Sequence, residues 1–253
     1  MSGRNYYTTD AIVLRLRKYR ESDGLLVLLT RKLGKVHAVA KGIFKPKSSL
    51  RGGTQLLTLN FMQLYESKTL YTVTQSECHE AFLPLHDQLD SMVSASCWAE
   101  LLEALLPDAL YDEALFDMAL SGFYALSLDA SPITRLGLEA QLMNYLGYKP
   151  ILDRCADCLK DIEKESRIYF SSEIGGIVCG KCKSVKDPVI SKEAAALWQG
   201  LGRINFSKIS RIKGKPEVVK QLDGILEIWI SAQTGKPLKS WSVIKTMGGI
   251  INE

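Results

Sequence analysis

Alternation of apolar and polar positions dominates the first eighty residues. In TDAIVLRLRKY, Ile12, Leu14 and Leu16 are expected on one face of a strand and Val13, Arg15, Arg17 and Tyr19 on the other. LLVLLT (25–30) is an apolar run of strand length, and RKLGK follows with Gly34 suited to a tight hairpin turn. VHAVAK (36–41) predicts the returning strand. TQLLTLNFMQLYE and TLYTVTQSE, separated by Ser67 and Lys68, predict two more. About five strands are too few for an immunoglobulin sandwich and fit a small closed barrel of the OB type. Closure also removes the exposed edges that such strands would otherwise present.

From Pro84 the period changes to that of amphipathic helices. Trp98, Leu101, Leu102 and Leu105 mark one, and Leu115, Phe116, Ala119, Leu120 and Phe123 mark a second. A third is well punctuated. Ser131 can cap it, Pro132 suits its first position, Gly147 can take a left-handed end and Pro150 lies just beyond. Helices are also expected from about Ser191, over Pro216 to about Thr234 with Gly235 ending it, and over about 238–246. No internal repeat is present.

Charge sharpens the division. Net charge is only +4, yet residues 1–80 carry +7, residues 81–150 carry −8 and residues 151–253 carry +5. Sign changes of this size suggest separate modules, and the basic ends suggest an anionic partner. The acids of the middle block read as a solvated helix face. No apolar run approaches the roughly 20 residues that span a bilayer, and MSGRNYYTTD has no signal-type apolar stretch. A cytoplasmic protein without a membrane partner is expected.

CADC (155–158) and CGKC (179–182) give the array C-x2-C-x20-C-x2-C. Two close thiol pairs can converge on the tetrahedral S4 cage that zinc prefers. Disulfides are the rival reading, disfavoured in a reducing cytosol. A thioredoxin-like role needs one C-x-x-C in a βαβ setting. Cys155, Cys158, Cys179 and Cys182 are therefore candidate ligands of one structural Zn2+, with no position left open for catalysis. Cys78 and Cys97 read as small buried core residues. The expected architecture is α+β and multidomain. An N-terminal OB-fold β-barrel over 1–80 precedes an α-helical domain over 81–253, with the four-cysteine zinc finger inserted at 150–185.

Catalytic signatures are missing. There is no G-x-x-x-x-G-K-[ST] loop and no G-x-S-x-G elbow. None of His37, His79 and His86 sits in a metal-ligand motif. The chain reads as a binding protein, not an enzyme.

Three stretches, in order, resemble the bacterial recombination mediator family RecO. YRESDGLLVLLTRKLGKVHAVAKGIFKPKSSL is similar to the family's Y-x-E-x-D, T-x-x-x-G-K and A-K-G-x-(R/K)-x-x-x-S pattern. YLGYKPILDRCADC with FSSEIGGIVCGKC resembles its zinc-bearing segment, and LKSWSVIK its C-terminal LKS stretch. The resemblance implies an OB fold, a helical domain and a zinc finger. It implies binding of single- and double-stranded DNA (ssDNA, dsDNA) and annealing of complementary strands. It also implies action with RecR, sometimes RecF, to load RecA on DNA coated by the single-strand binding protein SSB, whose acidic tail is a further partner, in the cytoplasm and at the nucleoid. Two departures stand out. The family commonly has Gly where this chain has Leu159, and more arginine where Ile43 and Phe44 stand.

No acid lies between Asp23 and Glu66, while Arg31, Lys32, Lys35, Lys41, Lys45, Lys47 and Arg51 all do. Together with Arg15, Arg17 and Phe44 they are the candidate DNA contacts, since OB barrels combine a basic groove with stacking aromatics. The stretch KGIFKPKSSLRGG is expected to form a mobile basic loop. Two other readings fit these residues: an OB-fold RNA-binding factor in translation or RNA processing, and a scaffold for acidic proteins.

Overall fold

β1 (Tyr6–Tyr19) is long enough to pair along both of its edges. Its first half runs antiparallel to β4 (Leu59–Glu66), from Tyr6 opposite Tyr65 to Ile12 opposite Leu59. Its second half runs antiparallel to β2 (Asp23–Thr30). β3 (Gly34–Ala40) and β5 (Tyr71–Glu80) complete the circuit β1-β2-β3-β5-β4, a closed five-stranded barrel of OB type. The computed structural model describes residues 5–250. Inside the barrel lie Ala11, Val13, Leu26, Leu28, Val36, Ala38, Met62, Leu64 and Val73, all buried.

Strict alternation fails at three register shifts, one in the β1–β2 pair and two in the β4–β5 pair, and the first moves a residue from its expected face. The β1–β2 register shifts between Val13 and Arg15. Val13 therefore lies in the barrel core and Leu16 packs against it on the far side of the bulge. Val13 does not share a face with Arg15, Arg17 and Tyr19 as strict alternation predicts, because the extra residue reverses the phase. The β4–β5 register shifts between Leu59 and Asn60 and between Gln63 and Leu64. Cys78 of β5 is exposed, against the expectation of burial, while Cys97 is buried.

The chain forms two compact units, Met1–Leu128 and Asp129–Glu253. α1 (Leu83–Asp87), α2 (Leu89–Leu105) and α3 (Glu113–Leu128) fall in the first of these units with the barrel. Trp98 of α2 donates its indole N–H to the Ala119 carbonyl of α3 at 3.0 Å. Gly122 permits this approach, since a Cβ there would lie 2.5 Å from the indole nitrogen. The acids of this block are not simply solvated. Glu103 pairs with Arg15, Asp108 with Lys35, and Glu113 and Asp117 with Arg31. The −8 block and the basic barrel are, in part, complementary surfaces of one unit.

The second unit contains α4 (Pro132–Tyr145), a small sheet of order β7-β6-β8, α5 (Lys192–Leu201), α6 (Pro216–Thr234) and α7 (Lys239–Ile250). β6 is Ile168–Ser171, β7 Gly176–Cys179 and β8 Val189–Ile190. Ser131 caps α4 by accepting from the Thr134 N–H, with Pro132 in the first turn. Gly235 ends α6 in the left-handed conformation. Phe170 of β6 packs against Trp198 of α5 and Trp229 of α6, joining the sheet to the helices. Buried Arg135 bridges Glu139 on its own helix at 2.9 Å and Asp223 of α6 at 2.8 Å.

Burial pushes the Glu139 carboxyl above the usual carboxylate range, although Arg135 pulls the other way. A folded-state value above the unfolded one contributes stability at low pH, which is lost as pH rises through that interval. Removing Arg135 leaves a buried carboxylate uncompensated. Arg135→Ala should cost about 3–5 kcal/mol in urea unfolding, with a smaller deficit at pH 5 than at pH 8. An equal deficit at both pH values would mean that Glu139 is not the group left exposed to the loss.

Candidate nucleic-acid interface and metal centre

The stretch 41–53 is pinned to the barrel, contrary to the mobile loop expected. Ile43 is buried in the barrel core and Leu50 packs against it. The Asp23 carboxylate accepts from the Gly42 N–H at 2.8 Å, and the Ser22 carbonyl accepts from the Phe44 N–H at 3.1 Å. Gly42 takes φ +68°, which lets the chain reverse at once after β3. Between these anchors Lys41, Phe44, Lys45, Lys47 and Arg51 are exposed. None of these four cations forms an ion pair among the described residues. Asp23 is a positioning residue that charge counting overlooks. Its signal was the Y-x-E-x-D pattern, whose last member it is.

The remaining candidate cations divide. Arg31 meets Asp10, Glu113 and Asp117, and its guanidinium lies 4.5 Å from the centre of the Phe116 ring. Burial opposes its charge, but the Asp117 and Glu113 carboxylates outweigh that and raise its pKa. Lys35 pairs with Asp108 at 3.2 Å and donates to the Glu103 carbonyl at 2.8 Å. Arg15 pairs with Glu103. His37 sits 3.5 Å from Asp108. Lys32 is exposed and donates to the Thr8 carbonyl, and Arg17 is exposed at the end of β1. Arg15, Arg31 and Lys35 thus spend their charge within their own unit. The T-x-x-x-G-K motif is chiefly a turn device. Thr30 donates to the Gly34 carbonyl and accepts from the Leu33 N–H, with Gly34 at φ +68°.

The four cysteines of the two C-x-x-C pairs converge, their sulfurs all within 4.8 Å of one another. The Cys158 and Cys179 sulfurs stand 3.9 Å apart. A disulfide needs about 2.05 Å, whereas tetrahedral Zn–S bonds of about 2.3 Å separate sulfurs by roughly 3.8 Å. The donor set therefore fits a thiolate-bound metal ion. Each pair lies on a tight turn: the Leu159 N–H donates to the Cys155 carbonyl at 2.9 Å, and the Lys183 N–H to the Cys179 carbonyl at 3.1 Å. Burial disfavours the Cys155 thiolate, but N–H groups at Cys158, Cys179 and Asp157 bring its pKa down to about 6. No helix of the described residues is long and apolar enough to cross a membrane.

Residues 1–82 match the family model for the Recombination protein O N terminal region, and residues 86–242 that for the C terminal region. Curated relatives named DNA repair protein RecO are similar over nearly the whole chain. The protein of Heliobacterium modesticaldum is 36% identical over 98% of this chain and 92% of its own length. That of Desulfitobacterium hafniense strain DSM 10664 is 35% identical over 94% and 88%. That of Moorella thermoacetica is 30% identical over 96% and 92%. The chain belongs to the RecO family. Its place is accordingly in DNA repair and recombination.

Within the RecO pattern, the departure at Leu159 acquires a structural meaning. Leu159 sits at φ +61° on the first cysteine turn and is 64% exposed. A left-handed backbone costs an L-residue about 1–2 kcal/mol, and the exposed side chain recovers little by burial. Leu159→Gly should raise stability by about 0.5–1 kcal/mol, the strain relief less the extra freedom of glycine in the unfolded chain. Thermal melting of the metal-loaded protein measures it; a lower melting temperature would mean that the leucine contributes more than its strain.

Proposed function

We infer that the protein is a recombination mediator that binds single- and double-stranded DNA and anneals complementary strands. With RecR, and sometimes RecF, it helps RecA load onto DNA coated by SSB, whose acidic tail it also contacts; its place is the cytoplasm, at the nucleoid. The observation that carries this reading is the pinned, acid-free segment displaying Lys41, Lys45, Lys47 and Arg51 around the half-exposed ring of Phe44. Unpaired cations beside an aromatic face suit a phosphate backbone with a base stacked on the ring. Two DNA strands repel each other, and a surface that neutralises phosphates on both lowers that barrier without nucleotide hydrolysis. Arg17 and Lys32 extend the surface, while Arg15, Arg31 and Lys35 support it by holding the barrel to its helices.

The quadruple variant Lys41/Lys45/Lys47/Arg51→Ala should bind labelled ssDNA roughly tenfold or more weakly near 0.1 M salt. The slope of log K against log salt should flatten by about 0.7 per lost contact. Fluorescence anisotropy reads both, and annealing of complementary oligonucleotides should slow with them. Unchanged affinity together with an unchanged slope would sink the assignment of DNA to this segment. In the same experiment, RNA oligomers binding more tightly than DNA of equal sequence would favour an RNA-binding role, since 2′-hydroxyl contacts discriminate.

The ion held by Cys155, Cys158, Cys179 and Cys182 is, in this reading, one structural Zn2+. It ties residues 151–162 to β7, so metal-binding energy becomes folding energy for the segment. One zinc per chain is expected by elemental analysis, with a clear fall in melting temperature on chelation. Melting that ignores the chelator would remove the structural role.

A further inference from the structure

The second unit carries another acid-free basic span, over residues 194–216, between Glu193 and Glu217. Lys208, Arg211, Lys213 and Lys215 lie in it, and Lys220 follows one turn into α6. All five are exposed, and none forms an ion pair among the described residues. This contrasts with the barrel, where a neighbouring acidic block takes up several of the cations. Here Glu217 is exposed and forms no ion pair among the described residues, and Asp223, three residues after Lys220, is paired with Arg135.

The span is seated rather than loose. A short 3-10 turn, Phe206–Arg211, packs on α4. Ile209 is fully buried there, and it fills the space beside Gly137, where a Cβ would lie 3.1 Å from the isoleucine side chain. The Ile212 N–H donates to the Ile209 carbonyl at 2.9 Å. Gly214 passes close to Val219 and Leu197, where a Cβ would lie 2.8 and 3.4 Å from them. The cations therefore project from an anchored backbone, with apolar residues beneath, and Glu217 is the single acid between the first and last of them. Lys215 is the residue before α6 and provides no side-chain cap; its carbonyl accepts from the Val218 and Val219 N–H groups, both at 3.0 Å.

We propose that Lys208, Arg211, Lys213, Lys215 and Lys220 form a second phosphate-binding strip, which holds a second nucleic-acid strand while the segment 41–51 holds the first. This rests on the DNA-binding reading above and adds to it where the other strand goes. Like-charged side chains held near one another on a rigid surface repel, and a polyanion relieves that repulsion by displacing their counterions. A polyphosphate backbone matches a row of point charges without demanding a fixed side-chain geometry, which suits lysine more than a bidentate site would.

The test uses the full-length, metal-loaded protein and the variant Lys208/Arg211/Lys213/Lys215→Gln. Protein first saturated with one labelled oligonucleotide is offered a second, non-complementary strand carrying the partner dye. Wild type should capture it; the variant should lose capture about tenfold and lose salt slope by about 0.7 per contact removed. Binding of the first strand should change less than threefold. Circular dichroism and melting must match wild type. Should they not, Lys213→Glu alone, on an exposed position, should still reduce capture. Capture and slope unchanged in a folded variant would overturn the proposal. So would tighter binding of polyglutamate than of an oligonucleotide of equal charge, which would make the strip a site for acidic protein. Failure of wild type to bind any first strand would instead defeat the underlying DNA reading, a distinct outcome.

Discussion

The first unit depends on one strand serving two partners. β1 pairs with β4 through its first half and with β2 through its second. The bulge after Val13 lets it bend from one to the other while keeping apolar residues inside. Were β1 shorter, the sheet would have two open edges and its inner face would lack a closing wall. The antiparallel β2–β3 pair, with Gly24 opposite Ala40, places Asp23 next to the end of β3, and Asp23 in turn holds the turn at Gly42. The display of Lys41, Phe44, Lys45, Lys47 and Arg51 is thus a consequence of the register of that barrel pair.

Charge is used in two ways that the linear sequence does not separate. Arg15, Arg31 and Lys35 neutralise acids of the helical segment, and Arg31 also covers the Phe116 ring. Such half-exposed pairs are individually worth little. Clustered at one contact, with an apolar ring beneath, they fix how the segment lies against the barrel. The cations of 41–51 and 208–220 form no such pairs among the described residues. Counting basic residues therefore overstates the unpaired charge, since Arg15, Arg31 and Lys35 are taken up by acids in three dimensions.

The cysteine cluster follows a similar division of labour. The sulfurs converge because both C-x-x-C pairs lie on tight turns next to the short β6–β7 sheet. The sheet itself is tied to the helices through Phe170, Trp198 and Trp229. A leucine in left-handed geometry at the first turn indicates how strongly this arrangement determines the local backbone.

Much was legible in one dimension because it rests on local rules. Strand alternation, the capped helix at Ser131, the Gly34 hairpin and the paired C-x-x-C spacing each follow from backbone geometry within a few residues. The barrel and the cysteine cluster could be read from them. Other features depend on residues far apart in sequence. A bulge reversed the phase at Val13, because register is decided by the neighbouring strand. The acids of the middle block became ion-pair partners of the barrel because the compact unit extends to Leu128. The sequence by itself determined which residues could be cationic and where chains of them occur. Only the tertiary structure decided which cations stay unpaired, since that turns on which acids long-range packing brings within about 4 Å.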